Sequence, residues 1–264
     1  MSAEARVRDG RLDEALAEVQ AQVRKQPADP RLRTFLFQIL GVKGQWERAL
    51  TQLKVAAELD PLALPMLQTY REALRCEALR AEIFAGRRTP LLFGEPAEWM
   101  ALLVQALGLT AAGKFDEAAN ARDRAFELAP GTAGRLDGEP FEWIADADSR
   151  LGPMLEAIVN GRYYWLPFAR LREMRIEQPC DLRDIAWMPA HLTLENGGDT
   201  VALIPTRYPG SETAADERVV MARSTEWLER PAATFLGLGQ RVLTTDRGEH
   251  GLMDVRLIEF GGQA

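Results

Sequence analysis

The 264-residue chain has two cysteines, two histidines and four lysines. Cys76 and Cys180 are too few for a disulfide framework or a cysteine-based zinc site. His191 and His250 leave metal chemistry poorly supplied, so neither metal nor cofactor is expected. There is no run of about 18 apolar residues, which excludes a transmembrane helix. Met1 to Gly10 carries charge throughout and lacks the apolar stretch of a secretory signal, so a cytoplasmic protein is expected. Positive charge is not in excess. The formal net charge is −7, which argues against a general nucleic-acid binder.

The two halves differ. Residues 1–140 hold 19 basic and 20 acidic residues, whereas residues 141–264 hold 13 and 19. All four lysines lie in the first part, and the second relies on arginine, the residue suited to rigid, partly buried pairing. Trp143, Trp165, Trp187 and Trp227 also lie in the second part.

The first part repeats itself. Gly10-Arg-Leu-Asp-Glu-Ala15, Gly44-Gln-Trp-Glu-Arg-Ala49 and Gly113-Lys-Phe-Asp-Glu-Ala118 share one pattern, and Pro27, Pro61 and Pro130 each follow the alanine by 12 positions. Ala15 and Ala49 are 34 residues apart, and Ala49 and Ala118 are 69 apart. A period of about 34 residues is that of tetratricopeptide helix–turn–helix units. Glycine permits the turn, the small alanine allows close helix approach, and proline ends the second helix. Helices are predicted near 31–42, 46–58, 96–111 and 115–128. Residues 62–89 lack the glycine turn and read as one long helix, or two poorly separated ones. Arg31, Thr34 and Gln38 fall on the predicted concave side, as do Met100, Leu103 and Leu107, and both trios are candidates for binding a partner. Core packing is the alternative for the apolar trio.

Beyond the glycine-rich stretch 131–138 the pattern changes. A short helix is predicted near 140–149, then six to eight mostly antiparallel strands. Asn160-Gly161 between two apolar runs is a strong hairpin signal, and Asn196-Gly-Gly198 is another. Asp181–Asp184 reads as one helical turn, Val219–Trp227 as a strand and Gly237-Leu-Gly239 as a turn. Arg223 and the Asp254/Arg256 pair are either edge charges or members of a partly buried arginine–carboxylate network. The expected fold class is α+β, with tetratricopeptide-like helical repeats over 1–138 and a mostly β domain over 139–264.

No catalytic constellation emerges. His191 sits in a predicted strand, Cys180 has no neighbour that would activate it, and Ser149 and Ser224 lack a nucleophile-elbow pattern. Asp146-Ala-Asp148-Ser-Arg150 lacks the glycine and glutamate of a calcium loop. Tyr163, Tyr164, Trp165, Trp187 and Tyr208 are candidates for a second binding patch, or else for core.

Several strings resemble the ImpE family, also called TagJ or SciE-type. They are Asp146–Pro153, Val159–Phe168, Asp181–Ala190, Ile204–Glu212, Thr225-Glu-Trp227 and Gly237–Arg241. The resemblance spans about 10–260. It implies a cytoplasmic, non-enzymatic accessory protein of the bacterial type VI secretion system. The TagJ branch is implied to bind an N-terminal helix of the small sheath subunit TssB, and through it to be linked to the ClpV ATPase that recycles sheath. The competing readings are an enzyme in the β domain involving His191, Arg207 or Cys180, and a purely structural assembly factor.

Overall fold

The computed structural model describes residues 2–261. Helices come first: α1 (Ala3–Arg8), α2 (Leu12–Lys25), α3 (Pro30–Val42), α4 (Trp46–Leu59), α5 (Leu64–Phe84), α6 (Glu98–Ala111) and α7 (Phe115–Leu128), with the two-residue β1 (Leu91–Leu92) between α5 and α6. No helix among the described residues is long and apolar enough to cross a membrane.

The repeat pattern has a direct physical basis. Gly10, Gly44 and Gly113 turn the chain with φ of +78°, +66° and +74°, a region open to glycine at little cost. Ala15, Ala49 and Ala118 are fully buried, as are Ala56 and Ala125. Helix α3 is the best capped: Asp29 accepts from the amides of Arg31 (2.8 Å) and Leu32 (3.3 Å), with Pro30 in the first turn. Residues 64–84 form one unbroken helix, preceded by a 3-10 turn, Pro61–Ala63.

The remaining elements are β2 (Gly134–Leu136), β3 (Glu139–Phe141), β4 (Ile144–Asp146), β5 (Met154–Val159), β6 (Arg162–Pro167), β7 (Leu171–Ile176), β8 (Trp187–Leu194), β9 (Asp199–Pro205), α8 (Glu217–Val220), β10 (Thr225–Arg230), β11 (Thr234–Gly239), β12 (Val242–Thr245), β13 (Gly248–Gly251) and β14 (Leu257–Phe260). They form a nine-stranded sheet ordered β1-β6-β5-β9-β8-β7-β14-β2-β3, a three-stranded sheet β13-β12-β4 and the ribbon β10-β11. Every pairing is antiparallel except that of β1 with β6. The α+β class holds.

Several local expectations need correction. Residues 140–149 form no helix, because Asp137-Gly138 (φ +49° and +91°) is the turn of a β2–β3 hairpin and Ile144–Asp146 pairs with β12. Val219–Trp227 is not one strand: α8 ends there, the chain reverses at Ala222 (φ +54°), and β10 follows. Gly237 and Gly239 lie in strand β11 rather than in a turn. A side chain at Gly237 would overlap the Tyr208 ring, so glycine there serves close approach. The turn before β11 uses Ala232 and Ala233 at positive φ, without a glycine to signal it. The strands number fourteen among the described residues, more than the six to eight expected.

Two apolar cores result. One joins the helices to one face of the sheet, uniting Phe37, Tyr70 and Leu103 with Tyr163, Trp165 and Trp187. Trp187 is its aromatic hub, with its ring centroid 5.6 Å from that of Tyr70 and 5.8 Å from that of Trp46. The other core is built mainly from the strands, including Leu155, Met188, Leu192 and Ile258, with Phe168, Leu252 and Val255 added from the connections.

Candidate functional site

The sheet meets α5 along a buried ionic seam. Arg80, on α5, donates to Glu156 on β5 (2.5 and 3.0 Å), to the Arg207 carbonyl (2.7 Å) and to Glu77 (3.3 Å). Arg241 reaches Asp146 and Glu156 and also donates to the Pro205 carbonyl at 3.0 Å. The Tyr163 hydroxyl donates to Glu156 and accepts from the Trp165 indole at 2.9 Å. The Trp187 indole donates to Glu77 at 2.9 Å. Tyr208 places its hydroxyl 3.0 Å from Asp146 and accepts from the Val242 amide.

Burial and charge compete in this seam. Burial alone raises the Glu156 pKa, but Arg80 and Arg241 outweigh it and hold the carboxyl down to about 2. At Asp146 burial wins over its one guanidinium, Arg241, and pushes the carboxyl up to about 6. Burial likewise lowers Arg207 to about 10, and its guanidinium donates to the Val42 carbonyl (2.9 Å) and the Val220 carbonyl. Each carboxylate of the seam already has a guanidinium, so the arrangement locks helices to sheet. Asp148 is similarly taken by Arg150 (2.8 Å) and the Gly237 amide (2.7 Å), which accounts for the Asp-x-Asp string without a cation.

The surface next to this junction is open. A cleft of about 590 Å³ lies among α1, α3 and the 3-10 turn Leu182–Ile185. Val7, Phe35, Leu182, Ile185, Met221 and Met253 give it an apolar lining, and Glu4, Arg8, Gln38 and Asp181 add polar groups. Asp181 and Asp184 form a capping box that fixes the turn. Gln38 donates to Asp181 at 3.1 Å, and Arg183 donates to it at 2.7 Å while lying 4.8 Å from the Tyr70 ring centre. Burial raises the Asp181 pKa, but the Arg183 hydrogen bonds outweigh it and the net shift is downward.

The sequence candidates separate in space. Gln38 lines the cleft, while Arg31 and Thr34 occupy the same face of α3 nearer its start, exposed and half-buried respectively. Met100, Leu103 and Leu107 do not line a groove: all three are buried in the core shared with the sheet. Tyr163, Trp165, Trp187 and Tyr208 are also buried, and Tyr164 packs edge-on against Phe93, so these aromatics form no second surface patch. The indole and hydroxyl groups of Tyr163, Trp165, Trp187 and Tyr208 find their partners within the seam. His191 is exposed and 3.3 Å from Glu177, Cys180 is exposed, and Arg207 is buried. No hydrogen bond or ion pair joins any two of these three among the described residues. Arg223 and Arg256 bond backbone carbonyls instead of carboxylates. The arginine–carboxylate network lies at Arg80 and Arg241. A lone glutamate inside the apolar run Met154–Val159, all six residues of which are buried, is the signal that points to it.

Comparison with known proteins gives this architecture its relatives. The family model described as ImpE protein matches residues 138–259. The type VI secretion system accessory component TagJ of Pseudomonas aeruginosa is 54% identical over 260 residues, covering 98% of this chain and 91% of that protein. The chain belongs to the ImpE family. Protein VPA1032 from Vibrio parahaemolyticus, known from a crystal structure, shares the fold with a TM-score of 0.89 at 21% identity, over 99% of this chain and 98% of that one. The matched region, residues 138–259, therefore contains most of the sheet and the seam residues Asp146, Glu156 and Arg241, while Glu77 and Arg80 reach in from α5 outside it.

Proposed function

We propose that this ImpE-family protein is a non-enzymatic accessory component of a bacterial type VI secretion system. In this reading it works in the cytoplasm, holds the N-terminal helix of the small sheath subunit TssB, and links it to ClpV-dependent sheath recycling. The observation that carries the proposal is its 54% identity to TagJ across nearly the whole of both chains.

The cleft between α1, α3 and the Leu182–Ile185 turn is the face assigned to the partner helix. An amphipathic helix seats its apolar stripe on an apolar floor and leaves its polar side to the rim. The floor here is of that kind, and it includes Met221 and Met253, whose flexible side chains adapt to a partner's shape. Arg31, Thr34 and Gln38 extend the contact along α3. Saturation of every seam carboxylate supports a binding role over a catalytic one. Isothermal titration of the full chain with a peptide of the TssB N-terminal helix tests the reading: saturable heat is expected. Absence of heat, with no displacement of a labelled peptide at high concentration, overturns it.

A further inference from the structure

The segment Arg207–Arg223 crosses the ends of the first four helices. It meets two of the inter-helix turns, α1–α2 and α3–α4, with a basic and an acidic residue at each. At the first turn, Arg223 donates to the Val7 carbonyl near the end of α1 (3.3 Å), and Glu217 accepts from the Leu12 amide at the start of α2 (3.1 Å). At the second, Arg207 donates to the Val42 carbonyl ending α3, and the Glu212 methylenes lie so close over Gly44 that no side chain could stand there. Cations at helix C-termini and anions at N-termini are the favourable arrangement. Helix α2 has no side-chain cap of its own, so Glu217 supplies one from the far end of the sequence.

We infer that this strap is a latch that holds the first helical hairpin, and with it one wall of the cleft, against the rest of the protein. Four observations carry this. Helix α1 has six residues, too few to be stable alone, and contributes only Ala3 and Val7 to the core. Arg6 ties α1 to Glu14 and Glu18 of α2, so the two move as a pair. Helix α5, by contrast, is locked by the Arg80–Glu156 pair, and it meets the strap through Arg80 at the Arg207 carbonyl, at the end away from Glu217 and Arg223. Just before Arg223 the strap passes through Ala222, 2% exposed, whose φ of +54° is a conformation that alanine adopts at a cost; Gln240 holds it there through the Ala222 carbonyl (2.9 Å). Since Val7 and Arg8 of α1 and Met221 of the strap all line the cleft, releasing the latch widens it. That consequence for docking rests on the reading of the cleft given above, whereas the latch itself does not.

Hydrogen–deuterium exchange of the full chain, with no partner present, tests it. In the Glu217→Ala/Arg223→Ala variant, exchange over residues 3–16 should rise at least about tenfold, while α5 and β5 keep the rates of the parent protein. Unchanged rates over 3–16, or an equal rise in α5 and β5, overturn the inference. Should the double variant fold poorly, Arg223→Lys, which retains the charge, is expected to give a smaller rise confined to the same residues, and the same two results overturn the inference. A cleft that binds no helix would leave these rates untouched, so the two readings fail separately.

Discussion

Arg241 and Glu156 form an ion pair in which neither side chain has any exposure to solvent. Removing one member leaves the other charged in a dry interior, a loss of about 3–5 kcal/mol. Arg241→Met should therefore lower stability by about that amount, since it leaves Asp146 with no guanidinium and Glu156 with Arg80 alone. Urea unfolding followed by tryptophan fluorescence would read this, and a midpoint equal to that of the parent protein would refute it.

The two seam carboxylates should oppose one another in their pH dependence. Glu156 has a folded pKa of about 2 against the ordinary 4.5, so its contribution is present above about 4.5 and is lost as pH falls toward 2. Asp146 has a folded value of about 6 against 3.8; the folded state holds its proton more tightly, so its contribution is present below about 3.8 and is lost as pH rises through 6. Asp146→Asn should leave stability at pH 7 unchanged or raised, and should flatten the slope of stability between pH 4 and 6. Thermal melts across that range would check it, and an Asp146→Asn protein with the parent slope would count against it.

Gly237→Ala should destabilise. The added methyl group would overlap the ring of Tyr208, which is itself fully buried and bonded to Asp146. Overpacking of this kind costs about 1–3 kcal/mol. A melting temperature within error of the parent protein would contradict the close approach.

Stability and affinity should separate on the helices. Leu103 is 0% exposed, so Leu103→Ala should cost about 2–5 kcal/mol and leave peptide affinity unchanged while the protein stays folded. Arg31→Glu, at an exposed position, should do the reverse. Titration and urea unfolding of both variants decide this. Weakened binding in a fully folded Leu103→Ala protein would return α6 to the binding surface.

Most of the helical half was legible because its signals are local. A glycine at a positive-φ turn, an alanine at a tight helix crossing and a proline after the helix each act within a few residues. Asn160-Gly161 marks its hairpin in the same way. What escaped lies in contacts distant in sequence. Glu217 caps α2 from 205 positions away, and Arg80 and Arg241, the two arginines on Glu156, stand 76 and 85 residues from it. The Ala232-Ala233 turn was missed because alanine does not advertise positive φ. Burial of Met100 and Leu107 could not be told from a groove lining by spacing alone, since both readings place apolar residues on one helix face. The cleft was legible on the α3 side, at Gln38, but not on the opposite wall, where Met221 and Met253 arrive from the far end of the chain.

The nine-stranded sheet ends in two very short strands. Leu91–Leu92 spans two residues, and Glu139–Phe141 carries Pro140, which has no amide hydrogen to give. Neither margin offers a long run of free amides and carbonyls to a further strand, which disfavours edge-to-edge stacking of copies through this sheet.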